Sequence, residues 1–397
     1  MIQSITFWLV LFGAAAGYWL LPVRLRYWYI GAVSVSYLVS LEPVGVTILL
    51  GWMLLFFYVA PHALRQKKNA LLVLTGLILS IFGYLAWYKA VPMLLAAWHP
   101  HGAIAAIVPP LGISYFTFKL MHYAIETARG TITDRSLDKF FAYVFLFPIF
   151  TAGPIERYDH FLANLAPKPD RTAIASGLTR IAIGLIKVTI LAKLVQPGIL
   201  PGSIPGTGQD LLAVAEHLPI WRAWAFVVVT YLQEYVNFSA YSDIAIGGSL
   251  LFGIRIMENF NFPVIATNIS DFWRRWHMTL SGWCQTYIYM PVMARTRSIL
   301  IATFATFVLI GLWHSVTMSW LAWGLFHSTG VAIYASWARF ARRWEWYRSA
   351  RQNRYRFIGV PLTFAFVSSS YAFTESGLGL GAGTRIFLLL FGVHYAG

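Results

Sequence analysis

Charge is scarce in this sequence. Only 11% of its 397 residues are Asp, Glu, Lys or Arg, less than half the share of about 25% in soluble globular proteins. Hydrophobic residues make up 58%, too many for a soluble fold to hide behind so little polar surface. Cysteine is scarcer still. The single residue, Cys284, excludes an intrachain disulfide scaffold. So apolar a chain is not a disordered one either. What remains is an all-α, polytopic helical membrane protein.

Acidic residues are few as well, 15 against 30 basic ones, leaving a net charge of +15. The basic residues lie in short stretches between apolar runs: Arg24 and Arg26; Arg65, Lys67 and Lys68; Arg129, Arg135 and Lys139; Arg295 and Arg297. The largest group runs from Arg339 to Arg356. That spacing is the footprint of cytoplasmic loops next to anionic lipid. The expected partner is therefore the lipid bilayer, not nucleic acid.

Crossing a hydrocarbon core takes roughly 20 apolar residues. The candidate stretches are 4–22, 28–41 (short), 44–63, 69–88, 103–128, 173–195, 222–253, 298–316, 317–338, 357–373 and 384–396, about 11 transmembrane helices. The first lacks the basic start and small-residue cleavage site of a signal peptide. The apolar stretch 139–156 is broken by Pro148 and by Gly153-Pro154, and reads as a re-entrant or half-buried helix. The loop 194–221 holds no Lys or Arg, whereas 339–356 holds seven arginines. The first is placed outside and the second inside, which puts the N-terminus outside. The count works if 222–253 crosses once and 254–297 stays cytoplasmic or dips in and returns. With no repeat and no separate soluble region, residues 1–397 read as one membrane domain.

Hydrocarbon penalises each charge by about 2.5–3.5 kcal/mol, so the sparse polar residues point to working sites. One stretch runs Ser270-Asp271-Phe272-Trp273-Arg274-Arg275-Trp276-His277-Met278-Thr279-Leu280-Ser281, after Asn259-Phe260-Asn261-Phe262-Pro263. Ser270 is placed to cap a helix carrying Trp273 and Trp276 on one face. An interfacial anchor helix with an incidental histidine would look the same. A second stretch, Gly311-Leu312-Trp313-His314, ends a strongly apolar run. A histidine kept neutral by burial there suits a general base, or equally a hydrogen-bonded packing group between helices. His327 repeats the ambiguity and reads better as packing. His62, His99, His101, His160 and His217 lie in loops or at segment ends, and His122 sits near Lys119 and Glu126. No metal-ligand spacing accompanies His277 or His314. No nucleophile elbow, phosphate loop or dinucleotide fingerprint is visible. Cys284 reads as a small apolar filler rather than an acyl-carrying nucleophile.

These motifs resemble the membrane-bound O-acyltransferase family, in its bacterial branch of alginate O-acetylation and teichoic-acid D-alanylation membrane proteins. The resemblance is carried by Ser270 to Ser281 and Gly311 to His314, continued by Trp320, Trp323-Gly324 and His327. Supporting stretches are Gly112 to Phe118, Phe147-Pro148 through Gly153-Pro154-Ile155, and Asn237-Phe238-Ser239-Ala240-Tyr241-Ser242-Asp243. It implies a ring of tilted helices around a central tunnel, with His314 as the catalytic histidine. His277 matches the second family histidine, which in eukaryotic relatives is often an asparagine. Substrate contacts are implied for Arg274, Arg275, Trp273, Trp276, Trp313, Asn237, Ser239 and Asp243. The sequence departs from the branch at Ser315 and Ser328, where glycine is usual, and at Phe373-Thr374, where Phe-Arg is common.

The implied reaction carries an acyl group, acetyl first among the candidates, from a cytoplasmic thioester to a hydroxyl at the outer face. The donor is acyl-CoA or an acyl carrier protein's phosphopantetheine arm; no cofactor is resident. The acceptor is an exported polysaccharide or a periplasmic or extracellular protein. D-alanyl transfer toward teichoic acid is the alternative within the same chemistry. A proton-coupled transporter or flippase is the alternative outside it, though the paired broken helices of such a protein are not seen.

Overall fold

The computed structural model describes residues 2, 4–64, 68–98, 109–195, 205–345, 356–374 and 379–394. His99, His101, Arg65, Lys67 and much of the 194–221 and 339–356 loops lie outside them. The described residues are helical, with a single isolated bridge, Leu165 to Ile254. Among the described residues three helical stretches are long and apolar enough to cross a membrane: Pro43–Ala63, Ala70–Pro92 and Arg171–Leu194. Ile5–Leu20, Ile299–His314, Phe357–Phe373 and Gly379–Leu389 are shorter apolar helices. The chain gathers into two compact units.

The first unit holds Met1–Leu185 and Ala240–Glu258. Its helices are α1 (Ile5–Leu20), α2 (Val23–Leu41), α3 (Pro43–Val59), α4 (Ala70–Trp98), α5 (Ile113–Arg129), α6 (Leu137–Phe145), α7 (Tyr158–Ala163) and α8 (Arg171–Ile186). The core is rich in aromatics, including Phe7, Phe56, Phe116, Tyr123, Phe140, Phe147 and Tyr158. The break expected in 139–156 is present. After α6 the chain makes one tight turn over Phe147–Ile149, bends over 151–153 and continues without helix to α7. A helix end leaves carbonyls without partners, and buried Lys119 answers them. Its Nζ donates to the Tyr143 carbonyl at 2.9 Å and to that of Val144 at 3.2 Å. Arg24 and Arg26 are not in a loop, as the charge pattern suggested, but inside α2. Arg26 is buried, donating to the Leu21 and Pro167 carbonyls at 2.9 and 2.8 Å and lying over the Trp19 ring.

The second unit holds Ile186–Ser239 and Asn259–Gly397. Its helices are α9 (Ala192–Leu194), α10 (Gly208–Ala213), α11 (Ile220–Leu250), α12 (Ile269–Trp273), α13 (Met278–Cys284), α14 (Met290–Thr296), α15 (Ile299–His314), α16 (Met318–Ala341), α17 (Arg356–Ser370) and α18 (Gly379–Leu389). Helix α11 runs from Ile220 to Leu250, and its residues after Ser239 belong to the first unit. A π-helical turn over Gln285–Tyr289 joins α13 to α14. Helices α15 and α16 form a hairpin. The Ser298 side chain caps the first and that of Thr317 caps the second. Gly311 faces the Trp320 backbone, and a Cβ on Gly324 would sit 2.6 Å from the Phe307 carbonyl oxygen. Only small residues let two helix backbones come so close.

Candidate active site

The close α15–α16 crossing sets the surroundings of His314. This histidine is the last residue of α15. The Trp320 ring stacks on its imidazole, with centroids 4.5 Å apart and planes 16° from parallel. Trp313 meets it edge-on at 4.6 Å, and Trp323 stands at 6.0 Å. Indole faces are favourable surroundings for a ring that turns cationic when it takes a proton. The sequence suggested a buried histidine; instead His314 is exposed. The end of the apolar helix presents it, as the sequence indicated, and there a reacting group can reach the ring.

The stretch from Ser270 to Ser281 is not a single anchor helix. Asn268, not Ser270, caps α12, its side chain accepting from the Asp271 N–H at 2.8 Å. The helix stops after Trp273, and His277 takes a left-handed backbone conformation, φ 43°, before α13 begins. Two backbone hydrogen bonds tie the turn to the preceding strand of chain. The Asn261 N–H donates to the Arg275 carbonyl at 2.9 Å, and the Met278 N–H to that of Asn259 at 2.8 Å. The tryptophans pack within the unit rather than lying as an outward stripe. Trp276 stacks on Phe272 at 5.6 Å, and Trp273 contacts Phe307, Trp323 and His327.

His277 is buried. Its Nδ1 lies 2.9 Å from Asn259 Oδ1, which also accepts from the Thr279 hydroxyl at 2.9 Å. Phe238 of α11 covers the ring edge-on at 4.8 Å. His277 and His314 are close enough that His314 acts on His277 electrostatically. The structure thus brings together the two histidines and Trp273, Trp276 and Trp313 in one unit.

The other candidates divide. Arg275 is engaged locally, its Nε 3.1 Å from Asp271 Oδ1 and its Nη1 donating to the Asn261 carbonyl at 3.2 Å. Arg274 extends outward, with its side chain 73% exposed. Asn237 is half-buried on α11, and the Ser239 hydroxyl donates back to the Val236 carbonyl at 3.1 Å. Asp243 belongs to the first unit, where Arg180 Nε pairs with its carboxylate at 2.8 Å. His327 is buried with Nε2 3.1 Å from Ser370 Oγ, as a packing group would be. Cys284 is buried. No group of three metal-ligating side chains occurs among the described residues. Asn259 and Thr279 were missed as partners of His277. They stand 18 and 2 residues away from it, and only the folded turn joins all three.

Comparison with known proteins gives one family. The pattern described as the membrane-bound O-acyltransferase family matches residues 27–377. The chain is 34% identical over 239 residues to the probable alginate O-acetylase of Azotobacter vinelandii, covering 58% of this chain and 45% of that protein. It is 28% identical to the teichoic acid D-alanyltransferase of Bacillus subtilis, covering 77% of this chain and 78% of that one. It is 27% identical to the peptidoglycan O-acetyltransferase of Helicobacter pylori, covering 82% and 66%. The matched region spans about half the length of the alginate relative.

Proposed function

The chain belongs to the membrane-bound O-acyltransferase family, and from that premise we propose that it transfers an acyl group, most simply acetyl, from a cytoplasmic thioester to a hydroxyl at the outer face of a bacterial cytoplasmic membrane. The donor is acyl-CoA or an acylated phosphopantetheine carrier. The acceptor is an exported cell-envelope polysaccharide or a protein that passes the acyl group on. About eleven crossings around a central tunnel, with the N-terminus outside, would let the two substrates meet from opposite faces.

In this reading His314 takes the proton as the acceptor oxygen attacks the thioester carbonyl. The carbonyl oxygen becomes an oxyanion, the C–S bond then breaks, and the thiolate leaves with the proton, giving ester and free thiol. His277 orients a substrate or stabilises the oxyanion, a task worth roughly 3–4 kcal/mol when one donor performs it. Exposed Arg274 suits a donor phosphate or an acidic carrier surface. Arg275 braces the turn and Trp273, Trp276 and Trp313 wall the site. Asn237 and Ser239 reach the acceptor side, while Asp243 keeps its pairing with Arg180 inside the first unit.

The observation that carries the reading is the placement of an accessible His314 among three indole rings, in the same unit as His277. D-alanyl transfer is the second reading, favoured by the even coverage of the Bacillus subtilis relative. The test is thiol release by the purified chain from acetyl-CoA, acetylated carrier protein and D-alanylated carrier protein in turn. One donor should be consumed, and His314→Ala should lower the rate by about 10²–10⁴-fold while the protein still inserts in the membrane. Near-normal turnover by His314→Ala would remove His314 from the chemistry, and no donor consumption by the native chain would revive the transporter alternative.

A further inference from the structure

The acceptor atom on Asn259 fixes the chemistry of His277. An amide oxygen can only accept hydrogen bonds. Two groups converge on Oδ1, the Thr279 hydroxyl and His277 Nδ1, each at 2.9 Å. With the amide oxygen turned to the ring in this way, Nδ1 carries the ring proton, and in the neutral ring Nε2 keeps its lone pair. Asn259 is wholly buried, and its backbone carbonyl also holds the Met278 N–H at 2.8 Å. One residue thus grips His277 by its side chain and the next residue by its backbone. Among the described residues no protein group hydrogen-bonds Nε2.

We propose that Asn259 is a positioning residue that holds His277 as the Nδ1–H tautomer, so that Nε2 accepts a hydrogen bond from a second hydroxyl of the acceptor, next to the one that His314 deprotonates, rather than acting as an oxyanion donor. This rests on the acyl-transfer reading and decides between the two tasks that reading leaves to His277. The logic is that of a histidine whose second nitrogen is fixed by a buried acceptor. Thr279 assists by keeping the amide oxygen turned toward the ring.

The test has one arm that needs no turnover. The full chain, labelled with ¹⁵N-histidine in lipid nanodiscs, is read by nitrogen NMR, with the His277 signal assigned by its loss in His277→Asn. Native His277 should show a protonated Nδ1. Asn259→Leu, similar in size but without an acceptor, should change the tautomer, and Asn259→Asp should restore the native one. A native ring protonated at Nε2, or an Asn259→Leu signal like the native one, would overturn the proposal whatever the activity.

The second arm uses the donor consumed in the previous experiment, with glycerol as the hydroxyl probe. Asn259→Leu should lower kcat at least about tenfold with little change in the KM for donor, and Asn259→Asp should recover most of it. Thr279→Val, which leaves the His277 bond in place, should stay within a few-fold of native. An Asn259→Asp variant as inactive as Asn259→Leu would mean that the amide donates to His277, and would overturn the assignment. If Asn259→Leu does not fold, the Asn259→Asp and Thr279→Val results decide alone. Failure of acyl transfer itself would appear instead as no donor consumption by the native chain.

Discussion

Gly324→Ala tests whether the α15–α16 crossing builds the site. The added Cβ would lie 2.6 Å from the Phe307 carbonyl oxygen, 3.1 Å from its carbon and 3.2 Å from Val308 Cα. All three are backbone atoms of a helix, so no side chain can swing aside. Relief requires α15 and α16 to separate by several tenths of an ångström. Overpacking of this kind costs about 1–3 kcal/mol. At about 2–4 °C per kcal/mol for a unit of this size, the melting midpoint should fall by roughly 2–12 °C. The effect on turnover should be larger than the effect on stability. His314 is carried by α15, while the stacked Trp320 and neighbouring Trp323 are carried by α16. A misplacement of about 1 Å can cost about 10²-fold in rate. Gly51→Ala is the control. Gly51 has nothing within 4 Å of its virtual Cβ, and alanine in place of helical glycine gains about 1 kcal/mol. Thermal unfolding in detergent and thiol release from the donor measure the two effects. A Gly324→Ala protein with native midpoint and native turnover would refute the account of the crossing.

Three further outcomes follow from features already described. Cys284 is buried, so Cys284→Ser should keep most activity, and a trapped thioester on this residue would contradict its role as filler. The Glu156 carboxylate, accepting from His160 Nδ1 at 2.6 Å, raises that imidazole above its ordinary range. The contribution to stability is complete below the unfolded value near about 6.5. It is lost as pH rises through the folded value, so the midpoint should decline more steeply above neutrality in the native chain than in His160→Gln; parallel curves would count against it. Introduced cysteines in 194–221 should react with an impermeant reagent in intact cells and those in 339–356 should not, and the reverse pattern would invert the topology.

Much of the helical plan was legible because hydropathy and helix length are local properties. The run 298–316 became α15 and 317–338 became α16 with shifts of a few residues. Pro148 and Gly153-Pro154 marked the break that follows α6. Arg26 misled because its acceptors include the Pro167 carbonyl, 141 positions away, and no local pattern shows that a buried arginine is satisfied. The motif tryptophans misled in a similar way. Trp and Arg in alternation suit an interface, yet Trp273 finds Phe307, Trp323 and His327 instead. His314 was recognised for its chemistry but assigned to the wrong environment, since whether a helix end lies open depends on its neighbours. Asn259 stood in the quoted stretch but was not paired with His277, because that pairing exists only where the chain doubles back.

The left-handed turn at His277 also acts as a filter on which side chains the position admits. At φ 43° most residues pay a steric penalty of roughly 1–2 kcal/mol, whereas asparagine, aspartate and histidine are enriched in that conformation. The backbone at this position therefore favours histidine or asparagine whatever their chemistry. A saturation library at 277 would confound the two, because alanine or leucine removes the imidazole and strains the turn together. Asparagine separates them: it keeps the turn and a hydrogen-bonding group, and loses only the ring.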